Sequence, residues 1–191
     1  MKTYLNAILF FLLATISNAQ DFKTPVDYLN YIGKETEIIS RTTWKYTTTV
    51  AHTKNARRID ATRKSLVKSI QNATKKIEAL KDGYKGDVEY KNQLLAYLSI
   101  SEKHINEEYD KIIDMQEVAE QSYDYMEAYI MTRDLVNAKI NEEVDKLNAN
   151  QKIFANKYNI QIGEDDSELG KKMKISNEVF ENHPQLYLIF F

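Results

Sequence analysis

Residues 59–80 read IDATRKSLVKSIQNATKKIEAL, and the spacing of apolar side chains in this stretch decides the class of fold. One repeating face recurs in alternating steps of four and three residues, which is the period of an amphipathic α-helix packed along a seam. Its members are Ile59, Arg63, Leu66, Ile70, Ala73, Ile77 and Leu80. The stretch therefore predicts a helix that buries one side.

A second helical region follows between positions 87 and 162, where the chain has neither glycine nor proline. One straight helix of that length would measure about 110 Å at about 1.5 Å per residue. We expect two long helices, divided at residues 114–117, where one apolar seam gives way to another. The later seam is apolar or tyrosine at nine of its twelve positions: Ala119, Tyr123, Met126, Ile130, Arg133, Asn137, Ile140, Val144, Leu147, Gln151, Phe154 and Tyr158.

Local signals set the expected limits of the helices. Thr24 and Pro25 form a helix start, with a capping hydroxyl before a proline at the first helical position. The helical segment 24–82 contains poor helix formers, which predict a bend at residues 42–53 between two pieces on one approximate axis. Two glycines within residues 82–87 predict a chain reversal.

A terminal helix is expected over residues 167–191. It begins after a glycine and acidic turn, and His183-Pro184 should kink or end it. Together these features predict an all-α protein: one helical domain over residues 20–191, folded as an elongated antiparallel bundle with seams like those of coiled coils.

Residues 1–19 have the pattern of a secretory signal peptide, with a short positive start, an apolar core and a cleavage site between Ala19 and Gln20. The apolar run over residues 4–16 is shorter than the roughly 20 residues that cross a bilayer core, so the mature form should have no transmembrane span. The chain has no cysteine, and neither a disulfide nor a lipidated cysteine can form. We expect export to the periplasm, the cell surface or the medium.

Charge and motif content argue against several classes of function. The mature chain would carry 25 basic and 28 acidic side chains, a net charge of 25 − 28 = −3, which does not suit a nucleic-acid binder. The sequence contains no nucleophile elbow, phosphate loop or dinucleotide fingerprint, and no histidine follows a glutamate by three residues. We therefore assign no catalytic, cofactor or metal residue and expect a non-enzymatic protein.

Charge is distributed unevenly along the chain. Residues 54–81 contain nine bases against two acids, whereas residues 102–145 contain thirteen acids against four bases. The two segments could pair inside an antiparallel bundle. Alternatively, the basic segment could dock onto an anionic envelope polymer or lipid headgroups. The candidate patch consists of Lys54, Arg57, Arg58, Arg63, Lys64 and Lys68.

Four stretches resemble the leptospiral-type surface protein family, a helical family common in Bacteroidota-type bacteria. They are residues 27–32 (DYLNYI), 52–58 (HTKNARR), 120–129 (EQSYDYMEAY) and 187–191 (YLIFF). The resemblance implies a helical surface protein and no catalytic residue. It also implies that the final helix is truncated in this chain, because family members continue with more helix.

The sequence thus favours an exported envelope or surface protein that acts as a binding or structural helical module. Its partner would be a protein or an envelope polymer, and a homo-oligomer would cover the apolar run at residues 186–191. Two other functions stay open: a metal-binding or enzymatic helical bundle, and a periplasmic holdase-like chaperone.

Overall fold

The computed structural model describes residues 22–53, 55–118, 123–163 and 167–182. These residues form five helices and no strand, which confirms the all-α class. The helices are α1 (Pro25–His52), α2 (Ala56–Glu78), α3 (Glu89–Val118), α4 (Tyr123–Lys157) and α5 (Glu168–Asn182). The predicted signal peptide with Ala19 and Gln20, and the apolar run from residue 186, lie outside the described residues.

Helix α1 begins where the capping signal predicts and then runs further than expected. The Thr24 hydroxyl accepts a hydrogen bond from the Asp27 amide at 3.1 Å, and the Asp27 carboxylate accepts one from the Thr24 amide at 3.1 Å. Residues 42–52 stay helical, and threonine hydroxyls in this stretch bond to carbonyls of the preceding turn, as Thr49 does to Lys45 at 2.7 Å. For residues 42–52 the predicted bend is therefore wrong, and the interruption comes at the last position of the predicted interval, Thr53, whose backbone is extended.

The prediction that the 24–82 segment follows one axis is also wrong, because α2 folds back against α1. Only residues 53–55 separate the two helices, and the Lys76 ammonium meets the Glu35 carboxylate across them at 2.7 Å. A short connection between packed helices makes them antiparallel neighbours.

The reversal predicted at residues 82–87 is confirmed, since α3 returns along α2. Gly83, Lys85 and Gly86 all have positive φ angles, of 57°, 51° and 86°. A Cβ atom on Gly83 would lie 2.0 Å from the Asp87 carbonyl oxygen, so this position requires glycine. The buried Lys91 ammonium donates hydrogen bonds to the Leu80 and Lys81 carbonyls at 3.1 and 2.9 Å. These bonds satisfy two backbone carbonyls of the turn that follows α2.

Helices α3 and α4 form a second antiparallel pair. Gln93 donates to Glu143 at 2.7 Å, and the Lys157 ammonium meets Asp87 at 2.7 Å. Helix α3 continues through residues 114–117, so the chain division comes after Val118 rather than at the predicted place. The side chains of the α4 seam from 119 to 137 lie outside the described part.

Aromatic side chains form the core at the end of the bundle where α1 begins and α4 ends. The Tyr28 ring lies 5.3 Å from Phe154 and 5.2 Å from Phe22, and Tyr84 lies 5.0 Å from Tyr158, measured between ring centroids. Aliphatic residues extend this core along the first three helices: Ile32, Leu66, Ile70, Ile77, Leu94 and Leu98. These contacts place the seam of residues 59–80 inside the bundle, as predicted.

Helix α5 begins at the predicted turn. The Ser167 hydroxyl accepts from the Gly170 amide at 2.9 Å and caps the helix. A cleft separates α5 from α1. Among the described residues, no helix is long and apolar enough to cross a membrane.

Candidate functional site

The outward side of α2 carries a single file of basic side chains, which we call the α2 ridge: Arg57, Lys64, Lys68 and Lys75. Steps of seven, four and seven residues place all four within about 40° around the helix axis, at about 100° per residue. The buried residues of α2 lie on the opposite side, because Leu66, Ile70 and Ile77 follow the seam that faces α1 and α3. The ridge therefore points away from the core along about 27 Å of helix.

Most of the ridge has no carboxylate partner among the described residues. Lys64 pairs with Asp60 at 2.6 Å, and hydrogen bonds from Lys64 and Arg63 hold the pKa of Asp60 below its usual value. Within the described ranges, Arg57, Lys68 and Lys75 form no ion pair, nor does the exposed Arg58. The ridge thus keeps about three uncompensated positive charges.

The acidic segment expected to pair with α2 is described only in part, because the side chains of residues 108–137 lie outside the described residues. Glu102 accepts a hydrogen bond from the neutral amide of Gln71 at 2.7 Å. The Lys76 ammonium of α2 pairs with the carboxylate of Glu35, which belongs to α1 and not to the acidic segment. Helix packing brings the two segments together, but the contacts at these residues leave the outward bases free to meet something outside the chain.

The structure separates the six predicted patch residues. Arg57, Lys64 and Lys68 lie on the ridge, Arg58 lies on its flank towards α1, and Lys54 is outside the described part. Arg63 does not belong to the surface.

The reason is its angular position, about 100° from its neighbour Lys64. The side chain of Arg63 is 13% exposed, and it donates to Asp60 at 2.9 Å and to Asn106 of α3 at 2.6 Å. The predicted patch does not include Lys75, which lies on the ridge. Its spacing of seven residues from Lys68 places both side chains on the same side of a helix, and this spacing is visible in the sequence.

The helices beside the ridge carry both paired and unpaired charges, and the exposed Lys34 and Lys45 of α1 form no ion pair in the described part of the chain. On α1, Arg41 pairs with Glu37, and on α3, Lys103 lies 3.6 Å from Glu107.

The cleft between α1 and α5 offers a weaker candidate. It has a volume of about 520 Å³, and Gly33, Thr36 and Met173 are among its lining residues. Three of its lining side chains are charged: Glu37 and Arg41 bind each other, and Glu168 lies 3.9 Å from the Lys172 ammonium, so they leave little charge to recognise a ligand. Across the described residues, no three histidine, aspartate or glutamate side chains come together in a way that could hold a metal ion.

Comparison with protein-family models, curated proteins and solved structures gave no match to this chain. The resemblance to the leptospiral-type surface proteins accordingly stays a prediction from the quoted stretches.

Proposed function

We propose that the protein is an exported, non-enzymatic helical module of the cell envelope that binds an anionic component through the α2 ridge. The observation that supports this proposal is the outward file of bases on α2, of which Arg57, Lys68 and Lys75 have no ion pair in the described part of the chain. The signal-peptide pattern of residues 1–19 supports the export.

The strength of such a contact follows from the number of cations. Each exposed Lys or Arg near an anionic surface contributes about 1 kcal/mol. Four ridge residues would give about 4 kcal/mol, which corresponds to a Kd of about 1 mM for one isolated contact. A useful affinity therefore needs a partner with repeated anionic groups, or several copies of the protein on one partner.

Binding to isolated envelope material tests the proposal. The ridge variant carries Arg57→Gln, Lys64→Gln, Lys68→Gln and Lys75→Gln. A control variant carries the same charge change at exposed lysines of α4 and α5, away from the ridge: Lys139→Gln, Lys152→Gln, Lys171→Gln and Lys174→Gln. We expect the wild type and the control to sediment with the envelope fraction at low salt, and the ridge variant to stay in solution. Equal sedimentation of both variants would contradict the proposal.

Export is tested separately by expressing the whole precursor and fractionating the cells. The expected result is a processed protein outside the cytosol whose first residue is Gln20. An uncleaved protein in the cytosol would remove the export part of the proposal, whatever the ridge binds.

A further inference from the structure

On the basis of the proposed function, we infer that the partner of the α2 ridge is a linear polyanion, a chain bearing phosphate or carboxylate groups, that lies along the helix. The four ridge residues follow one another in single file. Their rises along the helix axis are about 10, 6 and 10 Å, at about 1.5 Å per residue. A chain laid along α2 could meet all four cations in order.

The flanks of the ridge make a flat anionic surface a poorer fit. Asp60 and Glu78, the only acids of α2, both lie about 60° from the ridge on the side of α3. Beyond them on the same side, Glu102 of α3 accepts a hydrogen bond from Gln71 of α2 and forms no ion pair within the described residues. A broad negative surface pressed against α2 would meet these carboxylates, whereas a narrow chain would meet only the ridge.

Helix α2 also lacks the apolar side chains that insert into a membrane. Helices that lie in a lipid interface bury an apolar face in it. The apolar face of α2 is already buried against α1 and α3. The large apolar residues that are exposed in the described part lie elsewhere: Val26, Ile38, Ile153, Ile162 and Ile175. Contact through α2 would therefore depend on charge alone.

The side chains of the ridge suit phosphate or carboxylate groups of varied spacing. The guanidinium of Arg57 can bind either group through two parallel hydrogen bonds, and the lysine ammoniums act as flexible point charges. The net negative charge of the whole chain does not prevent this contact, because salt screens charges beyond about 8 Å at physiological ionic strength.

The experiment measures binding of the mature chain, residues 20–191, to three probes: long-chain inorganic polyphosphate, polygalacturonate, and vesicles of phosphatidylglycerol and phosphatidylcholine. Wild type, ridge variant and control variant are compared, with circular dichroism to show that each is folded. Because every substituted side chain is exposed, all three should fold. Lys68→Gln and Lys68→Glu serve as milder ridge variants.

We expect the wild type to bind at least one linear polyanion at least tenfold more tightly than the vesicles, at equal anion concentration. The ridge variant should lose at least tenfold in affinity for that polyanion, and the control variant should change by less than twofold. Removing four contacts should also reduce the slope of log Kd against log salt by about 3, at about 0.7 per contact. Polyphosphate and polygalacturonate then distinguish phosphate from carboxylate recognition.

Two failures can be told apart. If vesicles bind more tightly than both linear polyanions and this binding needs the ridge, the linear partner is wrong but the proposed function survives. If no probe binds, or if the ridge and control variants behave alike, both the inference and the ridge function fail.

Discussion

At the scale of single residues, the buried tyrosines place polar hydroxyls in an aromatic core, where a hydroxyl without a hydrogen-bond partner lowers the free energy of unfolding. Tyr28 has no exposed surface, and its hydroxyl has no hydrogen-bond partner among the described residues. A buried hydroxyl without a partner costs about 1–3 kcal/mol. Tyr90 is also buried, but its hydroxyl bonds to Gln151. The two residues therefore respond differently to loss of the hydroxyl.

Tyr28→Phe should raise the free energy of unfolding by about 1 kcal/mol, because it removes an unsatisfied polar atom and keeps the ring contacts with Phe22 and Phe154. Tyr90→Phe should lower that free energy by about 1 kcal/mol, because it removes a hydrogen bond and leaves the Gln151 amide unpaired. Urea denaturation followed by circular dichroism measures both. A loss of more than 1 kcal/mol in Tyr28→Phe would mean that its hydroxyl is satisfied in solution.

The same burial predicts a loss of stability at alkaline pH. Burial raises the pKa of Tyr90 from its ordinary value of 10.0 to about 12, and it raises the pKa of Tyr28 as well. Since the folded-state pKa is the higher one, this stabilisation is complete below pH 10 and declines as the pH rises towards 12. At pH 11 the free energy of unfolding should be lower by about 1 kcal/mol for Tyr90 and by about the same amount for Tyr28.

Denaturation curves at pH 9 and pH 11 measure this loss, and Tyr90→Phe provides the control. The difference between the two pH values should be smaller in the variant by about 1 kcal/mol. An unchanged difference would show that Tyr90 ionises equally easily in the folded and unfolded chain.

At the scale of elements, glycines have opposite effects in a turn and in a helix. Gly83 lies in the α2–α3 turn with a positive φ, and an added Cβ would clash with the Asp87 backbone. Gly33 lies inside α1, and an added Cβ there would meet no atom within 4 Å. The first glycine is needed for geometry, whereas the second lowers helix stability.

Gly83→Ala should lower the free energy of unfolding by about 2 kcal/mol or more, because the left-handed conformation alone costs about 1–2 kcal/mol and the clash adds to it. Gly33→Ala should raise it by about 0.5–1 kcal/mol through helix propensity. Thermal melts of the two variants give the comparison. Equal melting temperatures would contradict the described turn.

At the scale of the whole molecule, Phe154 connects the last part of α4 to the rest of the bundle. Its ring is 2% exposed and lies 5.3 Å from Tyr28 of α1 and 4.6 Å from Tyr158, between centroids. The neighbouring Ile153 is 56% exposed. Adjacent residues on one helix thus differ in whether they contribute to the core.

Phe154→Ala should lower the free energy of unfolding by about 3–5 kcal/mol, because it leaves a cavity where α1, α4 and the α2–α3 turn meet. Ile153→Ala should change it by no more than about 0.5 kcal/mol. Calorimetry also shows whether the bundle melts in one transition. Similar effects of the two substitutions would mean that α4 does not pack on α1 as described.

Much of the local structure could be read from the chain alone. The cap at Thr24, the glycine turn at residues 82–87, the start of α5 at Glu168 and the buried face of residues 59–80 depend on interactions between residues a few positions apart. Periodicity and capping chemistry report such interactions directly.

Tertiary structure decided the features that depend on how distant helices pack. The threonines at residues 42–49 are poor helix formers and predict a bend. In the structure their hydroxyls donate to backbone carbonyls of the preceding turn of α1, and the chain turns back only after His52. Arg63 and Lys64 are alike in the sequence, but one step around the helix turns the first towards α3 and the second outward. Long amphipathic helices follow from the local spacing of apolar residues. The bases that stay at the surface depend on where the neighbouring helices lie, and that is a property of the packed bundle.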